Sequence, residues 1–293
     1  MTINSLPIPI VHTNKETSSL LISTLQSTLL VFLLFFPVTF MHMFLHETGH
    51  ALVNLIEGDP VHFLYAHPFS FIGFVRPGGD YYSIWGHASG EIFELLVSAV
   101  IFIVLWKRRS FYTLPFLLVF PWSALYNGMG GIFDTLGHTG DYHNIITITG
   151  WSPTGFYLIS LIYIIGGIFF LISLFPLLGL KPQDRKALFV LPVGMLLYTA
   201  LGLPIAYFLV PGSPIDLQYH LAHEIILSAY YRPIFMGSIG LLLAVIYITL
   251  FRNLYQRVPA SLRTEVVSLS WRDFWYPGLL FIISMILGLM VIL

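Results

Sequence analysis

Five consecutive residues, His46-Glu47-Thr48-Gly49-His50, have the types and spacing to do chemistry. On an α-helix, residues four apart share a face, so His46 and His50 can each aim an imidazole nitrogen at one zinc ion. Glu47, one residue past the first imidazole, can take a proton from a water on that metal, and zinc lowers the pKa of such a water to about 7. At this composition chance supplies only about 0.01 such pentapeptides in the chain, so the pattern is informative. A catalytic zinc needs a third protein ligand and an open fourth position. Asp141 and His143, within Thr139-Gly140-Asp141-Tyr142-His143-Asn144, could supply the third ligand. His138, Asp134, His87 and Glu91 stand behind them, and spacing does not choose among these.

Ligand-type residues are concentrated in one part of the chain. Eight of the eleven His (His42, His46, His50, His62, His67, His87, His138 and His143) and eight of the fourteen carboxylates lie between His42 and His143. Ionisable groups near a bilayer centre cost about 2.5–3.5 kcal/mol each and tend to persist where they have a role. Glu91, Glu94 and His87 read either as groups that orient a metal-bound imidazole or assist a developing oxyanion, or as an interfacial helix start favoured by the helix dipole. His42, one turn before His46, reads as a packed or water-bonded imidazole, with cavity lining as the alternative. His220, His223 and Glu224, within Leu217–Tyr231, read as the polar face of an interfacial helix.

These residues must be positioned by membrane helices. Hydrophobic residues make up 57% of the 293, charged residues 9%, and mean hydropathy is +0.84; soluble domains run at about 45–50% and about 25%. Seven segments are long enough to cross a hydrocarbon core of about 30 Å, near 20–45, 88–106, 111–129, 155–180, 187–210, 233–251 and 274–293. The expected fold is an all-α polytopic membrane protein of about seven transmembrane helices. After the first helix comes a β-hairpin-like connector, with runs Val61–Tyr65 and Phe69–Val75 flanking Ala66-His67-Pro68. Eleven of the thirteen Lys and Arg fall in one set of helix ends and only Arg76 and Arg232 in the other, which predicts a cytoplasmic N-terminus and an extracytoplasmic C-terminus. Three parts follow: an N-terminal cytoplasmic segment, 1–19; a membrane core with the metal site, 20–154; and additional helices for scaffold or gating, 155–293. A formal charge of −1 gives no basic face for nucleic acid. The absence of Cys excludes disulfides, thiolate zinc sites, iron–sulfur clusters and thiol nucleophiles.

Leu45-His46-Glu47-Thr48-Gly49-His50-Ala51-Leu52-Val53 resembles the signature of the site-2-protease family of intramembrane zinc metalloproteases. Gly58, the β-like stretch Val61–Val75 and the turn Pro77-Gly78-Gly79 are similar to that family's connector. Ser89-Gly90-Glu91-Ile92-Phe93-Glu94-Leu95 resembles a helix start where the family carries Gly-Pro and Asn; this chain has glutamates. Gly140-Asp141 resembles the distal motif, whose Asp is the third zinc ligand. The resemblance covers about residues 30–150. It implies one zinc per chain on His46, His50 and Asp141, with Glu47 as general base, and an endopeptidase acting on membrane-embedded peptide or protein substrates within the lipid bilayer. The hairpin then reads as a β-edge that pairs with an extended substrate, or else as an interfacial cap. The alternatives are a divalent-metal transporter and a non-proteolytic membrane metal-binding protein.

Overall fold

The polar residues that follow Phe44 do not end the first helix. In the computed structural model, which describes residues 13–66, 73–77, 83–138, 140–182, 184–209, 232–251, 257 and 263–288, one helix, α1, runs unbroken over Thr13–Glu57. Hydropathy alone places its end at residue 45. However, His42, His46, His50 and Asn54 recur every four residues, so they line one face of a continuing helix and do not form a connector. At 1.5 Å per residue its apolar stretch Ser19–Glu57 is about 58 Å long, nearly twice the hydrocarbon thickness. Gly58, at φ 90°, stops the helix in a conformation that side chains disfavour.

Beyond that turn, β1 (Val61–Ala66) pairs antiparallel with β2 (Gly73–Pro77), Leu64 opposite Val75 and Tyr65 opposite Phe74. The described second strand overlaps the expected run at 69–75 over residues 73–75 and continues to Pro77. Leu64, Tyr65 and Ala66 are buried, and both strands pack on α1. Ser83 caps α2 (Ile84–Trp106) by accepting the Gly86 N–H at 2.8 Å. Helix α3 (Leu114–Gly137) begins on Pro115 and ends where His138 turns left-handed at φ 56°. Short α4 (Gly140–Thr149) follows, then α5 (Pro153–Ser173), capped by Ser152, and α6 (Ala187–Leu209). Among the described residues, α7 (Arg232–Phe251), π-helical over Tyr247–Phe251, and α8 (Trp275–Gly288) follow.

Five of these helices, α1, α2, α3, α5 and α7, are long and apolar enough to cross a membrane. The other two expected spans, on α6 and α8, are helical over their described residues. α1 is central and packs against α2, α3, α6 and α8. Its middle is locked by edge-to-face rings, Phe35 on Trp122 of α3 and Phe36 on Tyr198 of α6 and Phe281 of α8, with centroids 4.7–5.0 Å apart. Outward-facing Ile92, Leu96, Val100 and Ile103 on α2, and Leu158, Ile162 and Ile165 on α5, give the bundle the apolar exterior that lipid requires.

At the end where α1 starts, Lys186 Nζ lies 3.4 Å from Ser23 Oγ, and Arg109 donates to the Arg263 carbonyl at 2.8 Å. The basic residues of several connectors therefore share one end of the bundle, and the hairpin lies at the other.

Candidate metal centre

Four elements at the hairpin end bring polar side chains together. His46 and His50 come from α1, Asp141 from the first turn of α4, and the remaining partners from α2 and α3. His46 Nε2 and His50 Nε2 are 3.1 Å apart, and Asp141 Oδ2 lies 3.7 Å from the first and 3.4 Å from the second. Ligand atoms at about 2.0–2.1 Å from a tetrahedral centre are about 3.3 Å apart, so this triangle has the size of one face of a zinc site. The group can hold a metal ion.

The hydrogen bonds behind the triangle decide which atoms face inward. His50 Nδ1 is 2.7 Å from the Gly86 carbonyl oxygen, which can only accept, so Nδ1 carries the proton and Nε2 presents a lone pair. His46 Nδ1 is 3.3 Å from Glu94 Oε2, a carboxylate oxygen that likewise takes an N–H. Two imidazole lone pairs and a carboxylate oxygen thus converge with no donor among them, and only a cation, a metal ion or an added proton, relieves their repulsion.

Each of the three side chains is held from behind. A Cβ on Gly90 would come within 2.7–2.8 Å of Cε1 and Cδ2 of the His50 ring, and one on Gly49 would come within 2.9 Å of the Gly90 Cα. Glycine at both positions lets α1 and α2 approach closely enough for Gly86 to reach His50. Asp141 Oδ1 accepts from His87 Nδ1 at 2.9 Å. The Asp134 carboxylate accepts the backbone N–H groups of Tyr142 and Asp141 and so caps α4. Gly140, at φ 73°, stands against that carboxylate with no space for a Cβ. In this way the Gly-Asp dipeptide aims Asp141 at the two histidines.

Glu47 is 6% exposed and lies within electrostatic reach of His46, His50, Asp141 and Glu94. Its carboxylate makes no hydrogen bond among the described residues. Beside the triangle a cavity of about 170 Å³ is walled by His42, His46, Glu91, Tyr126, Asp134 and Tyr142, among others. Glu91 accepts the Tyr142 hydroxyl, and burial together with Glu91 pushes that phenol up, which keeps it a donor.

The residues expected at the site are distributed unevenly around it. Glu94 touches the His46 imidazole, His87 touches the Asp141 carboxylate, and Glu91 lines the cavity. His143 does not join them. Two residues past Asp141 on α4 it points to another side, where it packs on the exposed His138 with ring centroids 5.2 Å apart and its Nε2 is 3.4 Å from Thr147 Oγ1. His42 is more than a packed imidazole: it is 1% exposed and its Nδ1 donates to Glu94 Oε1. Asn127, which motif reading gave no role, donates to Glu94 Oε2 at 3.0 Å. Its signal was the pair Ser123 and Asn127, four residues apart on an otherwise apolar face of α3. His220, His223 and Glu224 lie outside the described residues, as do residues 67–72 of the hairpin. No family model, curated protein or solved structure matches this chain.

Proposed function

We propose that the chain is a membrane-embedded zinc metalloprotease, an endopeptidase that cleaves peptide or protein substrates lying in or beside the bilayer. The convergence of the His46, His50 and Asp141 acceptor atoms, with Glu47 on the same helix turn, carries this reading. One zinc ion per chain, when bound there, would polarise a scissile carbonyl and acidify a water.

The chain's own residues do the rest. Glu47 takes a proton from the attacking water as its oxygen adds to the carbonyl carbon. It returns that proton to the departing amine as the C–N bond breaks, leaving one new carboxylate and one new amine. Glu47 is buried, and Gly86 and Glu94 keep both imidazoles in the ligating tautomer. A helical substrate hides its carbonyls, so it must unwind locally to present one, and β1–β2 offers an edge that could pair with the extended segment. The charge distribution supports a cytoplasmic N-terminus, with the metal centre towards the extracytoplasmic side.

The test is Glu47→Gln in purified protein, assayed on a quenched-fluorescence library of transmembrane peptides in micelles with metal content measured alongside. Hydrolysis lost with about one zinc per chain retained is the expected result. Cleavage that persists in the zinc-loaded variant would overturn the mechanism. A divalent-metal transporter or a non-catalytic metal-binding protein would show no cleavage even in the wild type.

A further inference from the structure

We infer that Glu94 is a positioning residue of the metal centre: from behind, and through His46, it fixes which imidazole nitrogen faces the ligand triangle. This rests on the reading of His46 as a ligand.

Glu94 is fully buried in α2, and three donors from two other helices converge on it. His42 Nδ1 of α1 takes Oε1. His46 Nδ1 of α1, at 3.3 Å, and Asn127 Nδ2 of α3, at 3.0 Å, share Oε2. An ionised carboxylate can only accept, so each imidazole must turn an N–H towards it. For His46 this leaves Nε2 unprotonated, the atom that lies 3.1 Å from His50 Nε2 and 3.7 Å from Asp141 Oδ2.

Glu94 stands behind His42 and His46, and those two line the cavity beside the centre. It therefore acts on a ligand and not on a substrate. Gly86, Gly90 and Glu94 also recur every four residues along one face of α2, where a carbonyl, a space and a carboxylate address the two imidazoles in turn. His87 of the same helix reaches Asp141. α2 is thus the element that orients all three ligands, and Glu94 is its one side chain on the imidazole-facing row.

Glutamine has the same shape but presents an amide N–H₂, which can donate to His46 Nδ1 and select the opposite tautomer. In purified protein, Glu94→Gln is expected to weaken zinc and cobalt affinity about 10–100-fold and to change the visible absorption of the cobalt-loaded form. Because Glu94 also bonds His42, the double variant His42→Leu/Glu94→Gln removes the buried charge together with that partner. Affinity that stays low in the double variant while thermal stability recovers is the result expected of a positioning role. Recovery of both would make Glu94 a purely structural group, and wild-type affinity and spectrum in Glu94→Gln alone would likewise overturn the inference. If Glu94→Gln does not fold, the double variant decides. A wild type that binds neither metal would instead remove the metal reading itself, an outcome distinct from the others.

Discussion

Along α1, Leu30, Leu34, Phe36 and Val38 are buried against apolar side chains and rings of α3, α6 and α8. One turn later, His42, Glu47 and His50 are buried almost as deeply, but among carboxylates, an amide and a backbone carbonyl. The same helix thus holds two kinds of interior. In the first, contacts are non-directional, and a lost methyl group costs its own burial and the cavity it leaves. In the second, every donor needs a particular acceptor, and a change at one atom is felt by its neighbours. The apolar half sets the helix positions, and the polar half uses the rigidity this provides.

Removing a ligand tests this contrast most severely. His46→Ala and Asp141→Ala should each take bound metal from about one ion per chain to none, by elemental analysis, with the helical circular dichroism unchanged. If Asp141→Ala kept its metal, the third ligand would lie elsewhere and the α4 geometry would lose its meaning. Glu47→Gln comes next, with hydrolysis reduced about 10²–10⁴-fold and metal content unaltered. Gly140→Ala should have a smaller effect. It forces a side chain into a left-handed conformation costing about 1–2 kcal/mol and presses on the Asp134 carboxylate, so metal affinity should fall while the α1–α3 packing persists. In the other half, Leu34→Ala should lower unfolding stability in detergent by about 2–5 kcal/mol and leave metal stoichiometry alone. A loss of metal in Leu34→Ala would show that the two interiors are not separable.

Much of the site could be read in advance because its signal is local. His46, Glu47 and His50 fall within one helical turn and a half, and Gly140-Asp141 opens a helix after a break. The contacts that complete the site are not local. Glu94 lies 52 residues from His42 and 33 from Asn127, and nothing in a window around either residue indicates that they meet. The length of α1 was misjudged for a physical reason, since hydropathy counts polar residues without asking which face they occupy. His143 was a reasonable ligand by type, but helical geometry turns it away from Asp141's side. Of the seven segments expected to cross, five have the required length and composition among the described residues.

The polar stripe of α1 also bears on how the protein comes to be made. α1 precedes α2, α3 and α4, so His42, His46, Glu47 and His50 emerge from synthesis before the residues that satisfy them. Gly86 and Glu94 arrive with α2, Asn127 with α3 and Asp141 only with α4, 91 residues after His50. An isolated α1 would place this stripe against hydrocarbon at a cost of several kcal/mol. The helix therefore has reason to stay at the insertion machinery, or half-seated in the interface, until α2 can pair with it. The close approach of Gly49 to Gly90 makes the α1–α2 hairpin the natural unit to enter the bilayer.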